Sequence, residues 1–407
     1  MPTVNSRQAS PLLSFKLPYD VDLSNSNTLE TRQHDFDVFS WQSFIALNWP
    51  TLPNESVNTR ELIGSKGDNA TVWEAYKEAY QVFLPDGKTP PFWGQTGKLP
   101  RACQNLKTSR KFVFRMSQKV ANEVLDADEQ VFNTGPLIDQ QGQYVRYAIH
   151  FNDRIFDYIL NNNLYSKQGQ DNFDAEVNFP SGNNDNQEVG AIILKSAWKV
   201  LDPQQDDASR FHKIKALVYT PASAEPLVKE SCQLKTMGMV GLHIARKTKS
   251  APQWVWSTFE HVDNLEVPPN SGLKPLFFNP ESKVPENQPP PKPWNPNLPA
   301  QPSQVTRVIP IDQATKNLNS QWQAKLRQVN EQSVWQYYQL VSTQWPANPT
   351  RSAAGDPAPQ FLANITMETY IQGRVPNVSS SCVLCHINST MTNGKFSDFT
   401  YLLERAK

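Results

Sequence analysis

Four stretches in the middle of the chain decide the fold: 190–201 (GAIILKSAWKVL), 213–220 (KIKALVYT), 234–246 (LKTMGMVGLHIAR) and 253–262 (QWVWSTFEHV). They are rich in β-branched and aromatic residues, and turn-prone segments separate them, a pattern typical of antiparallel strands. The short connection KTKSAP between the last two favours a hairpin. Together they predict a central antiparallel sheet over about residues 143–262.

Helical spacing appears on both sides of this sheet. Apolar residues recur at helical intervals from Phe36 to Leu47, and Pro50 ends that pattern. Further stretches share the spacing and predict helices, some of them short: 71–83, 117–133, 321–329, 333–345, 366–372 and 397–405. The predicted fold class is therefore α+β, with helices at the N-terminus and a helical C-terminal region.

A proline-rich segment follows the sheet, with nine prolines from Pro280 to Pro302. Because proline lacks an N–H and fixes φ, this segment cannot hold a regular helix or a central strand. It is either an interdomain linker or an extended strap across the surface. We therefore expect a large α+β domain over 1–279, the proline-rich segment over 280–303, and a helical C-terminal region over 304–407.

Composition excludes two broad classes of protein. The 407 residues include 39 Lys plus Arg and 39 Asp plus Glu, so the formal net charge is zero. A general nucleic-acid binder needs a surplus of cations, and that class is disfavoured. The mean hydropathy is −0.56, and no apolar run approaches the ~18 residues that cross a bilayer. We expect no membrane span and no nucleic-acid partner.

The motif Cys382-Val383-Leu384-Cys385-His386 has the C-x-x-C-H spacing of haem c attachment. Two cysteines on one helical turn can bond the two vinyl groups of one porphyrin, and the adjacent histidine can ligate its iron. With this composition, the pattern arises by chance in about 6 of 10,000 sequences of this length. A redox dithiol, a zinc site and coincidence stay open as alternatives.

The last ~45 residues resemble the haem-attachment segment of a c-type cytochrome, of the large bacterial kind in which a long uncharacterised region precedes the motif. The resemblance implies one covalent haem c, with Cys382 and Cys385 as thioether cysteines and His386 as the proximal iron ligand. It departs from small cytochromes c, because only 21 residues follow His386. Met391 lies about one helical turn beyond His386, ~7.5 Å along the axis, and stays on the proximal side of the haem unless the chain reverses sharply at Gly394.

A distal residue is therefore expected from the large domain. Strand alternation places Met237, Met239, Gly241 and His243 on one face, and His261 lies on the next strand, so a hairpin could line one surface with both histidines. His243 and His261 are thus the candidates for a distal ligand or an acid–base residue. The other candidates are His34, His150, His212, Met116, Met237, Met239 and Met367.

The glycines of this strand have two interpretations. Gly238 and Gly241 either let a flat macrocycle approach the sheet or mark a β-bulge. Haem propionates also need cationic or donor partners, for which the sequence offers several residues. They are Arg146, Lys195, Trp198, Arg246 and Arg374, with a slight preference for Arg374 because it is near the motif.

Cys103 and Cys232 either form a disulfide or stay as buried free thiols. Residues 1–30 carry no basic start followed by an apolar core. The protein is either cytosolic or has lost a signal peptide, and haem c chemistry favours an extracytoplasmic compartment such as the bacterial periplasm.

Three functions compete. The first is electron transfer through a single haem to a redox partner protein. The second is a haem c oxidoreductase, whose large domain builds an open distal site for a small molecule such as peroxide, O₂ or a nitrogen oxide. The third makes the haem a sensor or structural staple of a binding protein.

Overall fold

The structure is a computed structural model that describes residues 12–24, 26–64, 70–106, 113–114, 135–224, 227–291, 300–349, 356–372, 374–375 and 378–407. The predicted helix at 117–133 lies outside the described residues, and so do Met116 and the side chain of Arg374.

The described residues form an α+β fold, which confirms the predicted fold class. The helices are α1 Leu29–Leu47, α2 Ala79–Val82, α3 Asp153–Asn161, α4 Lys167–Asp171, α5 Gln313–Val329 and α6 Cys382–His386. The strands are β1 Lys77–Glu78, β2 Val113–Phe114, β3 Arg146–Phe151, β4 Ile192–Val200, β5 Lys213–Thr220, β6 Ser231–Arg246, β7 Val255–His261, β8 Tyr338–Pro346, β9 Pro357–Ala358, β10 Arg374–Val375 and β11 Val378–Ser379.

One large sheet organises the molecule, in the order β1-β3-β4-β6-β7-β8-β9. Strand β5 pairs with the first half of the long strand β6, and β2 pairs with β5 in parallel. The main ladders from β3 to β8 are antiparallel. The four stretches that predicted strands are β4 to β7, so the central antiparallel sheet is confirmed.

Helices α1 and α5 cover one face of this sheet. Helix α1 begins at a capping box in which the Thr28 side chain accepts the Thr31 N–H, a contact that satisfies a free donor of the first turn. From α1, Trp41 stacks on Trp322 of α5 at 5.7 Å and meets Phe259 of β7 edge-on at 5.3 Å. Apolar burial between these rings fixes both helices on the sheet.

The chain end covers the opposite face. Residues 382–407, here called the C-terminal segment, pack into a second apolar cluster with α3 and the sheet. From the segment, Val383, Phe399 and Leu403 are buried, and Trp254 and Trp256 meet them from the sheet side. This packing brings the C-x-x-C-H motif against the C-terminal part of β6 and the first half of β7.

Several predicted helices are wrong. Residues 333–345 form a 3₁₀ turn, Val334–Tyr337, followed by strand β8, which pairs with β7. The stretch YQLVSTQW is rich in aromatic and β-branched residues, which favour strands. Because this stretch pairs with β7, it forms a strand rather than a helix. The predicted helix at 71–83 is broken into a 3₁₀ turn, Val72–Ala75, strand β1 and helix α2. The predicted helix at 366–372 is made of turns, and 397–405 is mostly turn with a 3₁₀ turn at Leu403–Arg405.

The proline-rich segment contains no helix or strand in its described parts, 280–291 and 300–303. It is nevertheless bonded to the body of the protein: Ser303 N–H donates to the Ile138 carbonyl at 3.0 Å, and Ala300 N–H to the Gly142 carbonyl at 3.1 Å. These contacts favour a strap over a free linker. The division into regions at 280 and 303 stays a prediction.

A disulfide joins Cys103 to Cys232, with 5.2 Å between their Cα atoms and 129 residues between them in sequence. Of the two alternatives for these cysteines, the bridge is confirmed. It ties the turn Arg101–Cys103 to the start of β6. Across the described ranges, no helix is both long and apolar enough to cross a bilayer.

Candidate functional site

The C-x-x-C-H motif forms helix α6, and β8 holds it in place. Ser381 caps the helix, and Gln344 of β8 accepts hydrogen bonds from the Val383 N–H at 2.9 Å and the Ser381 hydroxyl at 3.2 Å. Cys382 and Cys385 lie three residues apart on this helical turn, half-buried and outside any disulfide. The prediction that both cysteines share one turn is therefore met in the folded chain.

His386 is held in one orientation by a backbone carbonyl. Its Nδ1 lies 2.8 Å from the Phe399 oxygen. Because a carbonyl can only accept, Nδ1 carries the proton and Nε2 keeps its lone pair. The ring packs between Trp256 at 4.4 Å and Tyr401 at 5.2 Å. Burial lowers the pKa of His386 to about 4, so the imidazole is neutral at pH 7 and able to bind a metal through Nε2.

A pocket opens between the C-terminal segment and the sheet. It encloses about 690 Å³ of space, a figure that includes open solvent at its mouth. Its walls are mostly apolar, and the residues that bear on its chemistry are Cys382, His386, His243, Lys195, Trp256 and Arg405. The pocket thus unites one thiol and the histidine of the motif with groups from β4, β6 and the chain end.

His243 comes from the C-terminal part of β6, between Lys195 of β4 and Thr258 of β7 in the register. Its Nε2 lies 3.4 Å from Glu368 Oε2 and has no hydrogen-bond partner among the described residues. All six histidines of the chain are described, and His243 is the one that shares the pocket with His386. The structure therefore brings these two predicted site residues together.

His261, the other distal candidate, lies elsewhere. Because His243 pairs with Thr258, alternation along β7 points His261 to the opposite face of the sheet. It is fully buried and stacks on Phe211 at 4.3 Å. Its Nε2 donates to the Arg210 carbonyl, and its Nδ1 accepts the Asp263 N–H. Both ring nitrogens are thus occupied, and the structure gives no support to a distal role for His261.

A β-bulge corrects the predicted face of β6. Ala197 pairs with Gly241, but the next residue of β4 pairs with Met239, so one residue of β6 is extra. The extra residue turns Met237 and Met239 to the helix-covered face, away from His243. The alternative that the glycines mark a bulge is confirmed.

The other interpretation was that Gly238 and Gly241 let a macrocycle approach the sheet. Protein side chains instead fill the space beside both glycines. A Cβ at Gly241 would lie 2.2 Å from Thr366 Oγ1, and a Cβ at Gly238 would lie 2.7 Å from a Leu201 methyl carbon. The absence of a side chain at these two glycines therefore makes room for Thr366 and Leu201 and not for a ligand.

The remaining ligand candidates lie outside the pocket. His34 is exposed on α1, His212 bonds to Glu74 at 2.6 Å, and His150 meets Trp73 edge-on. Met367 and Met391 are buried in apolar clusters. The chain does reverse at Gly394, where Thr390 pairs with Phe396, but the reversal places Met391 among apolar side chains.

Of the predicted propionate partners, Lys195 lines the pocket. Burial lowers the pKa of Lys195, so a nearby anion would stabilise its charged ammonium form. Trp198 and Arg246 lie against the helix-covered face, where Arg246 bonds to the Ser43 hydroxyl at 2.7 Å. Arg146 pairs with Trp198 in the β3–β4 ladder and does not line the pocket.

The sequence analysis missed Arg405. This residue lines the pocket, its Nε is buried without a hydrogen-bond partner among the described residues, and burial lowers its pKa. Its distance of 19 residues from His386 gives no local signal. Only the return of the chain end over the motif brings it to the site.

The thiols differ from those of a redox dithiol. Burial raises the pKa of Cys382 well above its ordinary value, and burial also raises the pKa of Cys385. A dithiol oxidoreductase instead lowers the pKa of its attacking cysteine. Within the described residues, no group of three or more His, Cys, Asp or Glu side chains could hold a metal ion. A haem iron needs no such cluster, since the porphyrin supplies four ligands.

Comparison with known proteins gave no relative: no family model, no curated protein and no solved structure matches this chain.

Proposed function

We propose that this protein carries one haem c, bound through thioether bonds to Cys382 and Cys385, and transfers electrons through it. The observation that carries the proposal is the state of His386. Its Nδ1–H is held by the Phe399 carbonyl, the arrangement by which proteins fix a histidine that ligates a metal through its other nitrogen. The same ring lies in a pocket with one motif thiol.

Two polar atoms support the fit of a cofactor to this pocket. His243 Nε2 and Arg405 Nε are both buried at its wall and lack hydrogen-bond partners among the described residues. Buried polar atoms are rarely left unsatisfied, and such exceptions call for a missing group. In the proposal, Arg405 and Lys195 would bind the carboxylates of the haem, and His243 would be the second histidine available to the iron from the pocket wall.

Each group of the chain has a defined part in this function. The haem supplies an iron that exchanges one electron between the ferrous and ferric states. His386 binds the iron through Nε2 and donates its Nδ1–H to Phe399. Trp256 and Tyr401 fix the plane of the ring. The apolar walls exclude water, which reduces the reorganisation that accompanies a change of charge.

A second function is favoured by Glu368. Its Oε2 lies 3.4 Å from His243 Nε2, the atom that would otherwise ligate the iron. A histidine beside a carboxylate can move a proton to or from a bound small molecule. The alternative is therefore a haem c oxidoreductase with an open distal position, acting on peroxide, O₂ or a nitrogen oxide.

We place the protein outside the cytosol, in the periplasm of a bacterium. Haem c attachment takes place outside the reducing cytosol, and the disulfide between Cys103 and Cys232 is typical of the same compartments. The partner is a redox protein for electron transfer, or a small-molecule substrate for the alternative.

Attachment is tested by expressing the chain with cytochrome c maturation proteins. Denaturing electrophoresis with haem staining should show colour on the parent and none on Cys382→Ala/Cys385→Ala. The matched control is Cys103→Ala/Cys232→Ala, which removes the other two cysteines and should keep the stain. Haem that acid acetone strips from the native parent would refute a covalent bond.

The two functions are then separated by spectra. A closed iron gives a low-spin ferric spectrum, and carbon monoxide does not alter the reduced form. An open iron gives a high-spin spectrum that carbon monoxide changes. In the closed case His243→Ala should convert the first pattern to the second. In the open case Glu368→Gln should reduce peroxide turnover and leave the spectrum unchanged.

A further inference from the structure

The carbonyl that holds His386 is presented by an unusual piece of backbone. Asp398 and Phe399 adopt φ of 54° and 61°, two consecutive left-handed residues, and neither is glycine. A bulky side chain rarely takes this conformation, and it persists only where surrounding contacts hold it. The pair turns the chain so that the Phe399 oxygen reaches His386 Nδ1 at 2.8 Å.

Asp398 supplies the contacts that hold this conformation. Its Oδ2 accepts the Lys247 ammonium at 2.5 Å and the Phe179 N–H at 2.7 Å. Its own carbonyl accepts the Trp254 indole N–H at 3.1 Å. Asp398 and Lys247 are 4% and 3% exposed, so their ion pair is little screened by water. Three separate elements thus converge on one residue adjacent to the carbonyl.

Lys247 is itself fixed. It follows the last residue of β6, its N–H donates to the Ala191 carbonyl, and its carbonyl accepts the Gly182 N–H. Its ammonium also donates to Asn178 Oδ1 at 2.6 Å. The ammonium is therefore a fixed point at the end of β6, to which the turn at Asp398 is attached.

We propose that Asp398 and Lys247 are positioning residues for His386, which act by holding the Phe399 carbonyl on Nδ1. This inference rests on the proposed haem function for its redox consequence, but the hydrogen bond exists in the haem-free chain. With the ion pair intact, His386 keeps the Nδ1–H tautomer and a fixed ring plane. A strong bond from Nδ1–H to a carbonyl raises the basicity of Nε2, which favours ferric over ferrous iron.

The first test uses the haem-free full chain and reads the tautomer directly. In ¹⁵N-histidine spectra at pH 7, with His386 assigned from a His386→Gln variant, the parent should show the Nδ1–H form. Asp398→Asn should lower the ratio of the Nδ1–H to the Nε2–H form about tenfold, which corresponds to the loss of one hydrogen bond. The control Asp206→Asn breaks the buried pair with Lys199 at 2.6 Å and should leave the ratio unchanged.

The second test uses the haem-loaded protein. Asp398→Asn and Lys247→Met should each shift the ferrous-to-ferric ratio about tenfold toward ferrous at a fixed potential, which is about 59 mV for one electron. Lys247→Arg keeps the cation and should restore the parent value. Because the two residues act as one unit, the double variant should shift no further than either single variant.

Failures are distinguishable. If no haem attaches to the parent, the proposed function fails, and the tautomer ratio still decides the role of the ion pair. A tautomer ratio in Asp398→Asn equal to the parent's overturns the positioning role, whatever the haem result. If Asp398→Asn does not fold, Lys247→Met against Lys247→Arg decides: equal ratios in these two variants also overturn it.

Discussion

Removal of the Cys103–Cys232 disulfide is expected to destabilise the protein by about 5 kcal/mol. The bridge closes a loop of 129 residues, and in the chain-entropy model the unfolded state gains about 17 cal/mol/K when such a loop opens, or about 5 kcal/mol at 25 °C. The perturbation is Cys103→Ala/Cys232→Ala. Cys103 is fully buried, so the lost sulfur contacts add to the effect.

The assay is urea unfolding of the haem-free chain at pH 7, followed by far-ultraviolet circular dichroism. The midpoint should fall, and the slope m should rise, because an uncrosslinked unfolded chain exposes more surface. Dithiothreitol added to the parent should reproduce both changes. The matched control is Cys382→Ala/Cys385→Ala, which removes two cysteines that form no disulfide in this structure and should leave m unchanged. A loss below about 1 kcal/mol with an unchanged m would refute the chain-entropy account.

Three further outcomes follow from the packing. His261→Ala should cost about 3 kcal/mol through the lost stack on Phe211 and two hydrogen bonds, yet leave the haem spectrum unchanged; an altered spectrum would return His261 to the site. Burial raises the pKa of Asp37 to about 6, so ionisation of this carboxyl opposes folding. The neutral carboxyl stabilises the folded state at low pH, and this stabilisation is lost as pH rises through about 6. Asp37→Asn should therefore lose about 1 kcal/mol at pH 4 and gain about 2 kcal/mol at pH 8 in urea unfolding, whereas equal effects at both pH values would contradict the shift. Gly241→Ala should cost about 2 kcal/mol because its Cβ would lie 2.2 Å from Thr366 Oγ1, and Thr366→Ala in the same chain should recover part of that loss in a thermal melt.

Where sequence reasoning succeeded, the signal was local. The strands β4 to β7 follow from runs of β-branched and aromatic residues between turns, since each strand shows its own period. Helix α1 follows from apolar spacing that ends before Pro50. The spacing of Cys382, Cys385 and His386 places them on one helical turn by covalent geometry alone, and the structure has them on α6.

Where it failed, the outcome depended on partners distant in sequence. Strand β8 was predicted to be helical, and its state is decided by pairing with β7. The methionines of β6 were assigned to the wrong face because one extra residue at the bulge reverses every side chain beyond it. The register between β6 and β7 also determines that His243, and not His261, faces the pocket. Counting alternate positions along one strand does not relate the faces of two strands.

The sequence by itself determined two features of this protein: an α+β fold with a central antiparallel sheet, and a C-x-x-C-H motif whose spacing is local. Only the tertiary structure decided what surrounds that motif. It brought His243 and Arg405 to the pocket, bridged Cys103 to Cys232, and placed the Phe399 carbonyl on His386. The physical reason is that side-chain direction in a strand alternates residue by residue, so the register of the sheet and the return of the chain end choose which groups meet.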